Sequence, residues 1–104
     1  MLMTTTDFIP GKEIEEIIDV VRGSTVRARH IGRDIMAGFK QIVGGEISEY
    51  TRLMADAREE AIDRMIADAE RIDADAVINV RFTTSAIMQN ASEVLAYGTA
   101  VKIR

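Results

Sequence analysis

Between Ser48 and Asp73 apolar residues recur three and four positions apart, at Tyr50, Leu53, Met54, Ala57, Ala61, Ile62, Met65, Ala69 and Ile72. Asp56, Glu59, Glu60, Asp63, Asp68 and Glu70 fill most of the opposite side. The spacing predicts one amphipathic helix of about 39 Å at 1.5 Å per residue, with no internal breaker. Ser48 can cap its start, where Glu46 and Glu49 complement the positive end. Glu60 and Arg64 stand in the favourable i, i+4 order, while Glu59 and Asp63 oppose the helix by a similar few tenths of a kcal/mol. Packing of the apolar stripe must therefore hold it.

Elsewhere the period is two. After Asp73-Ala74-Asp75, Ile78, Val80 and Phe82 alternate with Asn79, Arg81 and Thr83, which predicts a strand, and Met88 to Ser92 should turn the chain. The last run, Glu93 to Arg104, sets Leu95, Tyr97, Thr99, Val101 and Ile103 against Val94, Ala96, Gly98 and Ala100, so both of its faces are largely apolar. At the other end, Met1 to Thr6 is expected as a strand ending before Asp7, followed by turn chemistry at Ile9-Pro10-Gly11.

Lys12 to Val21 is ambiguous. Ile14, Ile17, Ile18 and Val21 fit a helical template, but the block is β-branched and continues past Gly23 into the alternating Ser24 to Arg29. A strand is expected, with Gly23 as a bulge or sharp bend. Val26 and Ala28 then point one way, and Thr25, Arg27 and Arg29 form a basic side that is solvated or paired with acidic neighbours.

These elements predict an α+β fold, a small mainly antiparallel sheet packed on one long helix, in a single domain spanning residues 1–104. One helix covers one face of such a sheet, yet the last strand is apolar on both. Another copy of the same chain is the economical cover for the second face, so a homo-oligomer is expected.

Composition narrows the partners. The chain is 47% hydrophobic and 29% charged, a globular balance, and its net charge of -4 argues against nucleic acid, which needs a concentrated basic surface. There is no cysteine, hence no disulfide, thiolate nucleophile or soft-metal ligand. Met1 to Thr6 does not resemble a signal peptide and no apolar run reaches membrane-spanning length, so the expectation is a cytoplasmic protein with no membrane partner.

One stretch, His30 to Gly45, is specified for more than packing. Its candidates for ligand binding or a subunit interface are Arg33, Asp34, Lys40, Gly44 and Gly45. Gly44-Gly45 could offer N–H groups to an anion, but no Lys-Ser or Lys-Thr follows and Glu46 and Glu49 repel anions; a tight turn against the sheet or a neighbour is favoured. Arg33 and Asp34 are favoured as a salt-bridged pair pinning an irregular segment between subunits. His30 is the single imidazole and cannot alone fill a transition-metal sphere. Metal ligands, cofactors and catalytic residues are therefore assigned to none of these positions, and no enzyme is expected. A site shared between subunits and built from Arg33, Asp34 and Lys40 is the least favoured reading.

Gly32-Arg33-Asp34, Ala37-Gly38, Ile42-Val43-Gly44-Gly45, Tyr50, Ala57-Arg58-Glu59, Ala74-Asp75-Ala76-Val77 and Gly98-Thr99-Ala100-Val101-Lys102 follow one another in order. Together they resemble the YbjQ family of small bacterial and archaeal proteins, which carries a heavy-metal-binding label. The resemblance implies an antiparallel sheet on one long helix, a dodecin-like subunit, and a homo-oligomeric ring, a pentamer, acting as a scaffold or small-ligand binder. Metal binding is the alternative it implies. Two stretches depart from the family pattern: Glu46-Ile47-Ser48-Glu49 replaces a more basic, glycine-containing helix start, and Asp73 stands where a glycine is usual.

Overall fold

The computed structural model describes residues 1–28, 42–43, 46–88 and 91–104. The elements in order are β1 (Leu2–Met3), β2 (Ile14–Ala28), β3 (Ile42–Val43), β4 (Glu46–Ile47), α1 (Ser48–Arg71), β5 (Ala76–Met88) and β6 (Ala91–Ile103). The main sheet has the order β1-β5-β6-β2, and β3 and β4 form a separate antiparallel pair. β1 runs parallel to β5 while β5, β6 and β2 are antiparallel, so the sheet is mixed. The α+β architecture, with α1 packed on a mainly antiparallel sheet, matches the sequence pattern.

The helix seats on β2 and β6 through small residues. Ala57, Ala61, Met65 and Ala69 of α1 bury against Val21 of β2 and Val94, Ala96 and Ala100 of β6. Gly23 is central to this contact. It stays in regular register opposite Ala96, and a Cβ built on it would lie 2.3 Å from the Met65 backbone nitrogen and 2.4 Å from the Ala61 carbonyl oxygen. The expected bulge at Gly23 is thus replaced by close approach of helix backbone to strand backbone.

The irregularities of β2 fall earlier, between Ile14 and Glu16 and between Ile17 and Asp19. They explain the helical spacing of its isoleucines, because each extra residue reverses the alternation. Ile14 and Ile17 consequently share the face away from the helix, and Ile18 and Val21 the face towards it. A similar bulge interrupts β5 between Ile78 and Arg81, where Asn79 takes a positive φ of 54°. Ile78 therefore packs on the far face and Val80 on the helix face, so the alternation expected to unite them is broken.

The helix ends on Asp73, whose φ is 59°. Ala74 N–H donates to the Ala69 carbonyl at 3.1 Å and Asp73 N–H to the Glu70 carbonyl at 3.0 Å, the paired bonds of a Schellman ending. In this left-handed position Asp73, which has a Cβ, carries a cost of about 1 kcal/mol relative to glycine.

At the start of the chain, Lys12 N–H donates to the Ile9 carbonyl at 3.1 Å across Pro10 and Gly11, whose φ of 76° gives a type II turn. This turn folds Ile9 onto Ala76, Ile78 and Val101, with Ile14 and Ile103 alongside. Part of the far face of the sheet is thus covered by the chain's own N-terminal segment, and no other described segment covers the rest.

Candidate functional site

On β2, Thr25 and Arg27 face the helix and Val26 faces away. Arg27 pairs with Glu60, which also takes Arg64 from one turn further along α1. At Arg27 the basic side of β2 is therefore paired with an acidic neighbour, and Arg29 lies outside the described residues. Glu60 joins strand and helix across a half-buried seam, whereas a fully exposed pair would contribute little.

The outer edge of β2 is closed by the helix as well. Arg22 N–H donates to Asp68 Oδ2 at 3.2 Å and Arg64 Nη1 donates to the Ser24 carbonyl at 2.6 Å. Asp68 also accepts from Arg71 Nη2 at 2.9 Å. The Arg71 hydrogen bond, followed by the Arg22 N–H and both arginine charges, holds the Asp68 carboxyl below the usual carboxylate range against the opposing effect of burial. A lowered folded pKa supports the fold fully above the ordinary value near 3.8 and is lost as pH falls through the folded value. Asp68→Asn should therefore cost on the order of 1 kcal/mol at neutral pH. The gap between wild type and variant should stay constant from about pH 8 to 5 and close below about pH 4. Urea titrations across that range check it, and a gap that widens in acid would oppose the assignment.

Two regions of the sheet lack cover from the described residues. On the far face, Ile17 is 68% and Val20 57% exposed, Tyr97 is exposed near them, and Val26 is exposed further along β2, beyond Arg22. Arg22, Tyr97 and Arg81 lie in one register row across β2, β6 and β5. The second region is the outer half of β5, where Arg81 to Met88 are all exposed, including Phe82, Ile87 and Met88. Between this strand, Ile62 of α1 and Met3 to Thr5 lies an open apolar hollow of about 250 Å³, lined also by Val80 and Phe82. That is below the usual range of ligand pockets, about 300 to 1,000 Å³.

Arg33, Asp34, Lys40, Gly44 and Gly45, the candidates named from sequence, lie outside the described residues, as does His30. The uncovered half of β5 escaped the sequence reading. Its signal was the run Thr83 to Met88, which lacks both a charge and a clean apolar alternation.

A family model described as "Putative heavy-metal-binding", that of YbjQ, matches residues 1–104. The chain belongs to the YbjQ family. A UPF0145 protein of Colwellia psychrerythraea is 61% identical over 104 residues, covering 100% of this chain and 99% of the relative. One from Archaeoglobus fulgidus is 59% identical, covering 100% and 96%. Among solved structures, a protein of unknown function from Pediococcus pentosaceus superimposes with a TM-score of 0.63 at 19% identity, over 100% of this chain and 98% of that one. That likeness shows the fold shared with the YbjQ chain.

Among the described residues, donors do not gather into a site of the kind the heavy-metal description of the YbjQ family names. The chain has no cysteine and one histidine, and among the described residues no group of three or more His, Cys, Asp or Glu could hold a metal ion. Among the same residues no helix is long and apolar enough to cross a membrane.

Proposed function

We propose that this YbjQ protein works as a homo-oligomeric, non-catalytic assembly, a ring of identical subunits that serves as a scaffold or small-ligand binder. A pentamer is the copy number that the family resemblance implies. The observation that carries the reading is the uncovered far face around Ile17, Val20, Val26 and Tyr97.

In this reading the far face meets a neighbouring copy, and the helix, packed on the other side, faces outward. The test is charge on the patch. Val20→Asp combined with Tyr97→Lys alters two exposed side chains, so the fold should survive with an unchanged far-ultraviolet circular dichroism spectrum. The assembly should not. In sedimentation velocity the double variant should move to a smaller species, with dissociation shifted at least tenfold. An unchanged sedimentation coefficient would remove the far face from the interface.

A further inference from the structure

The far face carries positive charge that the chain does not balance. Arg22 of β2, Tyr97 of β6 and Arg81 of β5 lie in one register row, with about 10 Å between the outer two Cα atoms at the usual strand spacing. All three are exposed. Among the described residues neither guanidinium has a carboxylate within ion-pair distance. Asp68 lies close enough for the Arg22 charge to act on it, but its oxygens accept from the Arg22 backbone N–H and from the Arg71 side chain. Arg81 gives one nitrogen, Nη1, to the Thr5 and Val80 carbonyls at 2.8 and 2.9 Å, and its other guanidinium nitrogens have no partner among the described residues.

The rest of this face supplies little acid. From the row of Ile17 and Val101 to the end of the β5-β6 hairpin, the register places Arg22, Arg81 and Glu93 on the far face and no other charged residue among those described. Glu93 stands four residues from Tyr97 along β6, about 13 Å at the usual strand rise, so it does not neutralise the row. Two arginines against one glutamate leave one net positive charge on this face of a chain whose net charge is -4. Covering the face with a neighbouring copy takes both arginines out of water, and a desolvated cation is costly unless it is paired and hydrogen-bonded. The neighbour does not correct the imbalance, because it is the same chain and brings two arginines for each glutamate. An anion from outside does. Arginine forks match the oxygens of an oxyanion, and the Tyr97 hydroxyl adds a donor between them.

We propose that the row of Arg22, Tyr97 and Arg81 binds a multivalent oxyanion of the diphosphate type at the contact between copies. The inference rests on the far-face reading of the homo-oligomer and names the class of small ligand that the assembly holds. Arg22 stands on one margin of the row and Arg81 on the other, so each copy offers a cation to the neighbour on either side. That head-to-tail arrangement suits a closed ring of five copies as well as any other number.

The test is a calorimetric titration of the tag-free protein with inorganic pyrophosphate at constant ionic strength, with light scattering on the same samples. Pyrophosphate should give a saturable heat and raise Tm. Arg22→Gln and Arg81→Gln should each weaken binding by about tenfold or more, with the far-ultraviolet circular dichroism spectrum unchanged. Arg58→Gln removes the same charge from an exposed position of α1 and should bind as the wild type does. A multi-copy protein that shows neither heat nor a rise in Tm, or in which Arg22→Gln and Arg58→Gln weaken binding equally, overturns the anion site and leaves the assembly standing. The mass of one chain overturns the assembly and the shared site with it.

Discussion

Among the described glycines, Gly23→Ala should be the most damaging substitution. The new Cβ would fall 2.3 Å from the Met65 nitrogen, 2.4 Å from the Ala61 oxygen and 2.6 Å from Arg64 Cβ, and the first two of these are helix backbone. No rotamer change relieves the overlap, so α1 must lift from β2. Lifting it would loosen the contacts of Ala57, Ala61, Met65 and Ala69 with Val21, Val94, Ala96 and Ala100 together. The loss should reach about 3 kcal/mol, at the upper end for overpacking. At about 4 to 8 °C per kcal/mol for a domain of this size, Tm should fall by roughly 12 to 24 °C. Thermal melts at fixed protomer concentration measure it, since assembly makes Tm depend on concentration. A fall of less than about 3 °C would mean that the helix is not seated on Gly23.

Met65→Ala comes next, by the opposite route. Met65 is among the largest side chains with no exposure at all, and it sits on the same seam one residue from Arg64. Truncation leaves a cavity lined by small residues that have little side chain to move into it. Such substitutions cost about 2 to 5 kcal/mol. Met65→Leu keeps most of the volume and should cost less than about 1.5 kcal/mol. Denaturant midpoints for the pair test the claim; equal midpoints would show that the site collapses freely and that packing there is loose.

The two glycine and methionine positions also show what sequence pattern does and does not disclose. The helix was legible because its stripe runs without interruption from Leu53 to Ile72, and its observed span, Ser48–Arg71, stops just short of the expected end at the left-handed Asp73. β6 was legible for the same reason. β2 was harder, because two bulges turn a period of two into spacings of three and four at Ile14, Ile17, Ile18 and Val21. Gly23 lies in regular register against the helix instead of at a bulge or bend, because a glycine in a strand reports close approach or a kink without distinguishing the two.

Cover of the far face was half foreseen. β6 announced two apolar faces, yet Ile9, delivered by the Pro10-Gly11 turn, covers Ala76, Ile78 and Val101 from within the chain. Only contact between distant segments decides that, and a local pattern carries no record of it. The edge of β5 was invisible in the same way. Whether a strand is paired on both sides depends on where β1 stops, and β1 leaves the ladder after Met3 with Thr4 and Thr6 reaching only as far as Asn79 and Val80.

The central claim is that this chain works as an assembly of copies, and the most direct measurement is the absolute molar mass of the tag-free protein by multi-angle light scattering at micromolar concentration. A single species with a mass of at least two 11.5 kDa chains is expected. A monodisperse peak at the mass of one chain would contradict it.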